Sequence, residues 1–135
     1  MTRVLGIDYG DVRIGFALSD PMRIIARPLI TLRNDNQLIN EISILVQNNK
    51  VTDLVVGYPL GMIGQKTDQT KKVDGFIEVL KNNFSIPITS VDERLSSVSA
   101  INSLVKQGIK TGTNKSQIDQ TAAAIILQEF LDTNK

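Results

Sequence analysis

At 135 residues, 41% of them hydrophobic, the chain is long enough for one compact domain that buries roughly two-thirds of its unfolded surface. It contains no cysteine and no histidine, which excludes a disulfide framework, thiolate or imidazole metal ligation, and a serine–histidine catalytic pair. Fifteen basic against 14 acidic residues leave a net charge of +1, so no global field draws the protein onto a polyanion. Five of the six arginines (Arg3, Arg13, Arg23, Arg27, Arg33) nevertheless fall in the first 33 residues.

Any catalysis must therefore run on carboxylates, lysine, tyrosine or hydroxyls, and any bound metal should be an oxygen-ligated cation such as magnesium or manganese. The N-terminus meets Asp8 too early for the apolar segment of a signal peptide, and no stretch stays apolar for the ~18 residues of a membrane span. A soluble, cytoplasmic protein is the expectation.

The first third reads as three strands, 3–9, 12–19 and about 24–32, parted by turn signals at Gly10-Asp11 and Asp20-Pro21. Connections this short imply antiparallel pairing. Over 37–49 the period changes: Leu38, Ile39, Ile42, Leu45 and Val46 share a helical face after an Asn34/Asp35 start signal. The apolar run 53–57 is short and unalternating, as in a strand buried on both faces. A loop over 58–66, with Pro59, Gly61 and Gly64, leads to a second helix on which Val73, Phe76, Ile77 and Leu80 face inward. A strand over 86–91 ends at Asp92-Glu93-Arg94. A third helix over about 97–107 stops at Gly108, and a Gly/Thr/Lys loop precedes a last helix over 117–131. The order βββαβαβαα, with right-handed crossovers, predicts an α/β fold: a mixed five-stranded sheet, three antiparallel strands then two parallel, with helices on both faces in a single domain, 1–135.

Asp8 interrupts an apolar strand and is flanked at two residues' distance by Gly6 and Gly10, which leave room for something bulky. Its bland reading is a turn-proximal aspartate. Asp92 and Glu93 stand at the C-terminal end of a parallel strand, where open α/β sheets place ligands, or else they simply charge a helix N-terminus. Asp119 has the best bland account, because Ser116-Gln-Ile-Asp119 matches a capping box. Against that, Ala122, Ala123 and Ala124 make its helix thin enough to press on the sheet and bring Asp119 toward the strand ends. Asp20 either caps a turn before Pro21 or adds a distant negative charge, and Asp11 reads as a turn residue. Three acids from the first strand, the end of the last strand and the last helix would converge if strand one lies beside the parallel strands. Clustered carboxylates repel, divalent cations relieve the repulsion, and two such ions can cleave a phosphodiester without any histidine.

Gly6-Ile-Asp8-Tyr-Gly10 with Arg13, Gly15, Ala17, Ser19 and Asp20, then Val56-Gly57-Tyr-Pro59-Leu60 with Gly64, Asp92-Glu93-Arg94, and Asp119-Gln-Thr-Ala122-Ala123 follow one another along the chain. Together these four motifs resemble the YqgF (RuvX) family, relatives of the RuvC-type Holliday junction resolvases in the ribonuclease H-like superfamily. The resemblance covers essentially the whole chain. It implies a ribonuclease H-like fold and a divalent-metal nuclease that trims the precursor of small-subunit ribosomal RNA, with Holliday junction resolution as the alternative. It also implies that the catalytic, metal-holding acids are Asp8, Glu93 and Asp119. The chain departs from the family at Gly61 and Ile63, where relatives carry Asn and Asp, and at Ser96-Ser97, where they carry Thr-Thr.

On this reading Asp8, Glu93 and Asp119 hold two magnesium or manganese ions, and Arg13 and Arg94 grip flanking phosphates as substrate-binding residues. The competing role for both arginines is an ion pair with Asp11, Asp20 or Asp92. Lys66, Lys71 and Lys72 either extend a phosphate track or form a solvated helix face. The expected partner is nucleic acid, precursor rRNA before branched DNA, with the protein a monomer or weak homodimer. Two other readings compete: a nucleotide phosphate-binding module, for which one domain is half of what is needed, and an RNA or ribosome-assembly binding module without chemistry. The few aromatic residues (Tyr9, Phe16, Tyr58, Phe76, Phe84, Phe130) are scattered and make no evident base-stacking platform.

Overall fold

Side chains alternate across a strand, so residues two apart share a face of the sheet, and the two apolar clusters of this protein show which helices cover each face. The computed structural model describes residues 2–93 and 115–133. Its strands are β1 (Arg3–Asp8), β2 (Arg13–Ser19), β3 (Ala26–Arg33), β4 (Val51–Tyr58) and β5 (Ile88–Asp92), and its helices are α1 (Leu38–Asn48), α2 (Asp68–Asn83) and α3 (Lys115–Thr133). The sheet order is β3-β2-β1-β4-β5. β3, β2 and β1 pair antiparallel, whereas β1 with β4 and β4 with β5 pair parallel. This is the mixed sheet that the sequence predicts. The helix expected over 97–107, the loop before α3 and Arg94 lie outside the described residues.

On one face Leu5, Ile7, Ile14, Phe16, Leu54 and Val56 pack with Leu38 and Ile42 of α1 and with Val73, Phe76 and Leu80 of α2. On the other, Val4, Ala17 and Val55 pack with Ala122, Ala123, Ile126, Leu127, Phe130 and Leu131 of α3. Full burial of a side chain such as Leu127 or Ile126 contributes about 1.5–3 kcal/mol. Among the described residues no helix is long and apolar enough to cross a membrane.

β3 begins two residues later than its apolar run suggests. The Asp20 carboxylate accepts the backbone N–H groups of Ile24 at 2.7 Å and Ile25 at 2.9 Å, tying those amides into the turn instead of the sheet. This turn role takes Asp20 away from the acids of the other motifs. β4 is longer than expected because it is paired on both sides, from Arg3–Val51 at one end to Tyr58–Asp92 at the other. α2 opens with a capping box that its sequence does not advertise. Thr67 Oγ1 accepts from Thr70 N–H at 3.3 Å, and Thr70 Oγ1 accepts from Thr67 N–H at 3.0 Å.

α3 lies unusually close to the sheet, and glycines make the room. A Cβ on Gly6 would stand 2.7 Å from Leu127 Cβ and 3.0 Å from the Ala123 carbonyl. A Cβ on Gly15 would run into the backbone of Asp119 and Gln120. Ala122 and Ala123 are fully buried at this contact.

Candidate active site

Asp8 is the last residue of β1 and faces α3, as Val4 does four residues earlier. In register it stands opposite Gly15 of β2. On the other side Ile7 is level with Val56, which puts Gly57 of β4 beside Asp8. Asp8 thus sits between two residues without side chains. Glu93 fills part of that space: a Cβ on Gly57 would strike its Oε1 and crowd Ile126 Cδ1. Glu93 follows β5 directly, only 9% exposed. Both acids therefore occupy the C-terminal ends of parallel strands, where open α/β sheets present reactive groups.

Asp8 and Glu93 are near enough for each to act on the other's carboxyl. Burial pushes the Asp8 carboxyl well above the ordinary carboxylate range, and the charges of Glu93 and Asp119 push it the same way. Burial also raises Glu93, with the charge of Asp92 adding to it and the neighbouring Asp8 carboxyl opposing it. The two groups titrate as a pair.

Asp119 arrives from α3, in the turn pressed onto Gly15. Ser116 already lies inside the helix, so the capping-box account of Asp119 gives way. Its Oδ2 instead accepts from Arg13 Nε at 3.0 Å, with the two side chains 24% and 36% exposed. Arg13 is therefore ion-paired, as its structural reading has it, but to a proposed catalytic acid and not to Asp11, Asp20 or Asp92. Asp11 pairs with Lys72 at 3.1 Å, across to α2. Lys66 pairs with Asp74 at 3.0 Å, and Tyr58 donates its hydroxyl to the same carboxylate at 2.7 Å. Lys66 and Lys72 thus bind neighbouring acids within the fold, and the anticipated run of free lysines is shortened accordingly.

The chemistry of the donor set fits magnesium or manganese. All three acids offer hard oxygen ligands, and a cation would relieve the mutual repulsion that raises Asp8. Among the described residues no group of three acids is gathered tightly enough to hold an ion as placed, and Asp119 is turned to Arg13. Asp8 and Glu93 would be the first residues to hold the ion, with Asp119 completing the set.

Gly15 and Gly57 are the functional positions that residue-by-residue reading misses, since the sequence points to Gly6 and Gly10 as the spacers of Asp8. Gly10 serves the hairpin, where a Cβ would meet the Arg13 carbonyl. A signal for Gly15 does exist. Gly15, Ala17 and Ser19 are small residues at alternate positions of one strand, the imprint of a close-lying helix.

A family model described as RuvX, Holliday junction resolvase, matches residues 2–133. A protein of Roseiflexus sp. named "Putative pre-16S rRNA nuclease" is 42% identical over 98% of this chain and 96% of its own length. One of the same name from Ruminiclostridium cellulolyticum is 39% identical over 96% of this chain and 94% of its own. The solved structure of T. thermophilus RuvC in complex with Holliday junction substrate superposes with a TM-score of 0.58 at 13% identity, covering 98% of this chain and 95% of that one. The Fowlpox virus resolvase bound to Holliday junction DNA also gives 0.58, at 9% identity, covering 97% of each chain. These two likenesses show the ribonuclease H-like fold that the sequence predicts.

Proposed function

The chain belongs to the RuvX family, and from that membership and its carboxylate site we propose that it is a metal-dependent nuclease that processes the 5′ end of pre-16S rRNA during ribosome biogenesis in the cytoplasm. The protein is a hydrolase of phosphodiester bonds, and residues 1–135 act as one nuclease domain. The observation that carries the reading is the Asp8–Glu93 pair: a half-buried and a buried acid side by side, flanked by glycines at the ends of parallel strands, with a third acid's charge felt at Asp8. Two carboxylates packed this closely are costly to a fold and suit a site that takes a cation.

Magnesium or manganese, when bound, supplies Lewis acidity and an ionised water at neutral pH. Asp8 and Glu93 would hold the cation through their carboxylate oxygens, with Ile126 and Gly57 bordering the Glu93 carboxylate. Asp119 contributes from the opposite side, its orientation fixed by Arg13. Arg13, on the rim and partly exposed, keeps guanidinium N–H groups for a substrate phosphate, a geometry suited to a planar fork. Arg94, outside the described residues, has the corresponding proposed role.

Cleavage of end-labelled precursor rRNA, single-stranded RNA and a four-way DNA junction, with manganese or with EDTA, tests the reading. The expected result is metal-dependent cutting of the rRNA precursor that disappears in Asp8→Asn and Glu93→Gln. Equal cleavage by the two variants would remove the carboxylate site from the chemistry. Preferential cutting of the junction would move the substrate to branched DNA, and RNA binding without any cleavage would leave a ribosome-assembly binding module.

A further inference from the structure

Arg33 closes β3, the edge strand, and stands in register directly opposite Arg13 of β2. Residues opposite one another on an antiparallel pair share a face, and like charges placed so are destabilising. Arg13 reaches Asp119 of α3, so the Cβ of Arg33 stands on that same face, at the mouth of the carboxylate site. The other pairs along this hairpin carry no such conflict: Gly15 opposes Thr31, Leu18 opposes Arg27 and Ser19 opposes Ala26.

Arg13 has Asp119, Arg23 has Asp53 at 3.5 Å, Lys66 has Asp74 and Lys72 has Asp11. Among the described residues Arg33 has no ion-pair partner. The nearest acid in sequence, Asp35, is engaged at the start of α1, where its Oδ1 accepts from Gln37 N–H at 2.9 Å. A cleft of about 340 Å³ opens here, and the described residues that line it, Val12, Arg13, Thr31, Leu32 and Arg33, include two arginines and no acid.

We propose that Arg33 grips the phosphodiester backbone of the substrate beside Arg13, so that the paired guanidiniums of β2 and β3 hold the strand against the carboxylate site. This rests on the nuclease reading and adds to it a residue and an entry path, along the β3 edge. The juxtaposition that burdens the free sheet becomes favourable once an anion lies between the two cations.

The test measures binding of labelled single-stranded RNA to the Asp8→Asn protein, with and without Arg33→Ala, across about 50 to 200 mM salt. Arg33→Ala is expected to weaken binding roughly tenfold, the weight of a bond to a charged group. It should also lower the slope of log K against log salt by about 0.7, the increment for one phosphate contact on a single strand. Arg33→Gln, which keeps most of the stem, should lose the same increment, whereas Arg33→Lys should keep the slope and not the full affinity. Arg27→Ala, at the other end of β3, should change neither. On the otherwise unaltered enzyme, Arg33→Ala should raise KM and leave kcat, with an RNA-free Tm equal to or above the parent because a like-charge neighbour is gone. An unchanged slope and affinity overturn the proposal, as does a lowered Tm with no change in slope, which would make Arg33 structural. Undiminished cleavage by Asp8→Asn alone would instead remove the carboxylate site from the chemistry, and that lane is read independently of the salt slopes.

Discussion

Substituting alanine at Gly15 should damage stability and cleavage together, because one methyl group would have to occupy the space of the α3 backbone. An ideal Cβ on Gly15 would clash with the carbonyl group of Asp119 and crowd the amide nitrogen of Gln120. These are backbone atoms and cannot rotate aside, so α3 must lift. Lifting it loosens the Gly6–Leu127 contact and the cluster of Ala123, Ile126 and Leu127 against β1 and β4. Overpacking of this kind costs about 1–3 kcal/mol, here toward the upper end. A smaller chain entropy in the unfolded state returns about 0.4–1 kcal/mol. The net loss is about 2 kcal/mol, a fall in Tm on the order of 8 °C for a domain of this size. The same displacement moves Asp119 away from Asp8 and Glu93, and a misplacement of about 1 Å can cost on the order of 100-fold in rate. Urea unfolding followed by circular dichroism gives the first quantity and single-turnover cleavage of the RNA gives the second. A Gly15→Ala protein with the parental urea midpoint and rate would refute the claim that α3 is held on the sheet by this glycine.

Gly75 is the opposite case: it lies in the exposed interior of α2 with nothing within 4 Å of an added methyl group, so Gly75→Ala should stabilise by about 0.5–1 kcal/mol, seen as a higher urea midpoint with unchanged cleavage. Metal-free stability should fall as pH rises. The folded-state pKa values of Asp8 and Glu93 are raised, so their contribution is complete below the ordinary carboxylate range and is lost as pH climbs through the raised values. Urea midpoints in EDTA from about pH 5 to pH 8 should therefore decline, and Asp8→Asn should flatten the decline; an Asp8→Asn protein that keeps the full slope would show that the pair is not its source.

Much of the fold is legible in the sequence because it depends on local signals. The turns at Gly10-Asp11 and Asp20-Pro21 delimit β1, β2 and β3, and the unalternating run ending at Gly57 marks β4 as the strand covered on both faces. The start of β3 is misjudged for a physical reason: Ile24 and Ile25 have strand character, yet the Asp20 carboxylate takes their amides at 2.7 and 2.9 Å. A side chain outside the segment decides the matter, and residue propensity carries no record of it.

The acids show the same division more sharply. Asp8, Glu93 and Asp119 each stand out from the sequence and each has a structural excuse, because what separates the two readings is cross-strand register. Register puts Gly15 and Gly57 on either side of Asp8, although they are 7 and 49 residues from it along the chain. The capping-box match at Ser116 misleads because it weighs Asp119 only against its own helix, when the contact that places Asp119 is with Gly15 on β2. Gly6, Gly15, Ala17 and Gly57 are best read together, as the footprint of α3 on three strands. A helix that needs four small residues beneath it lies deep, and a deep helix brings its N-terminal acid to the level of the strand ends. The spacing of the glycines and alanines therefore says more about where the carboxylates meet than the carboxylates say themselves.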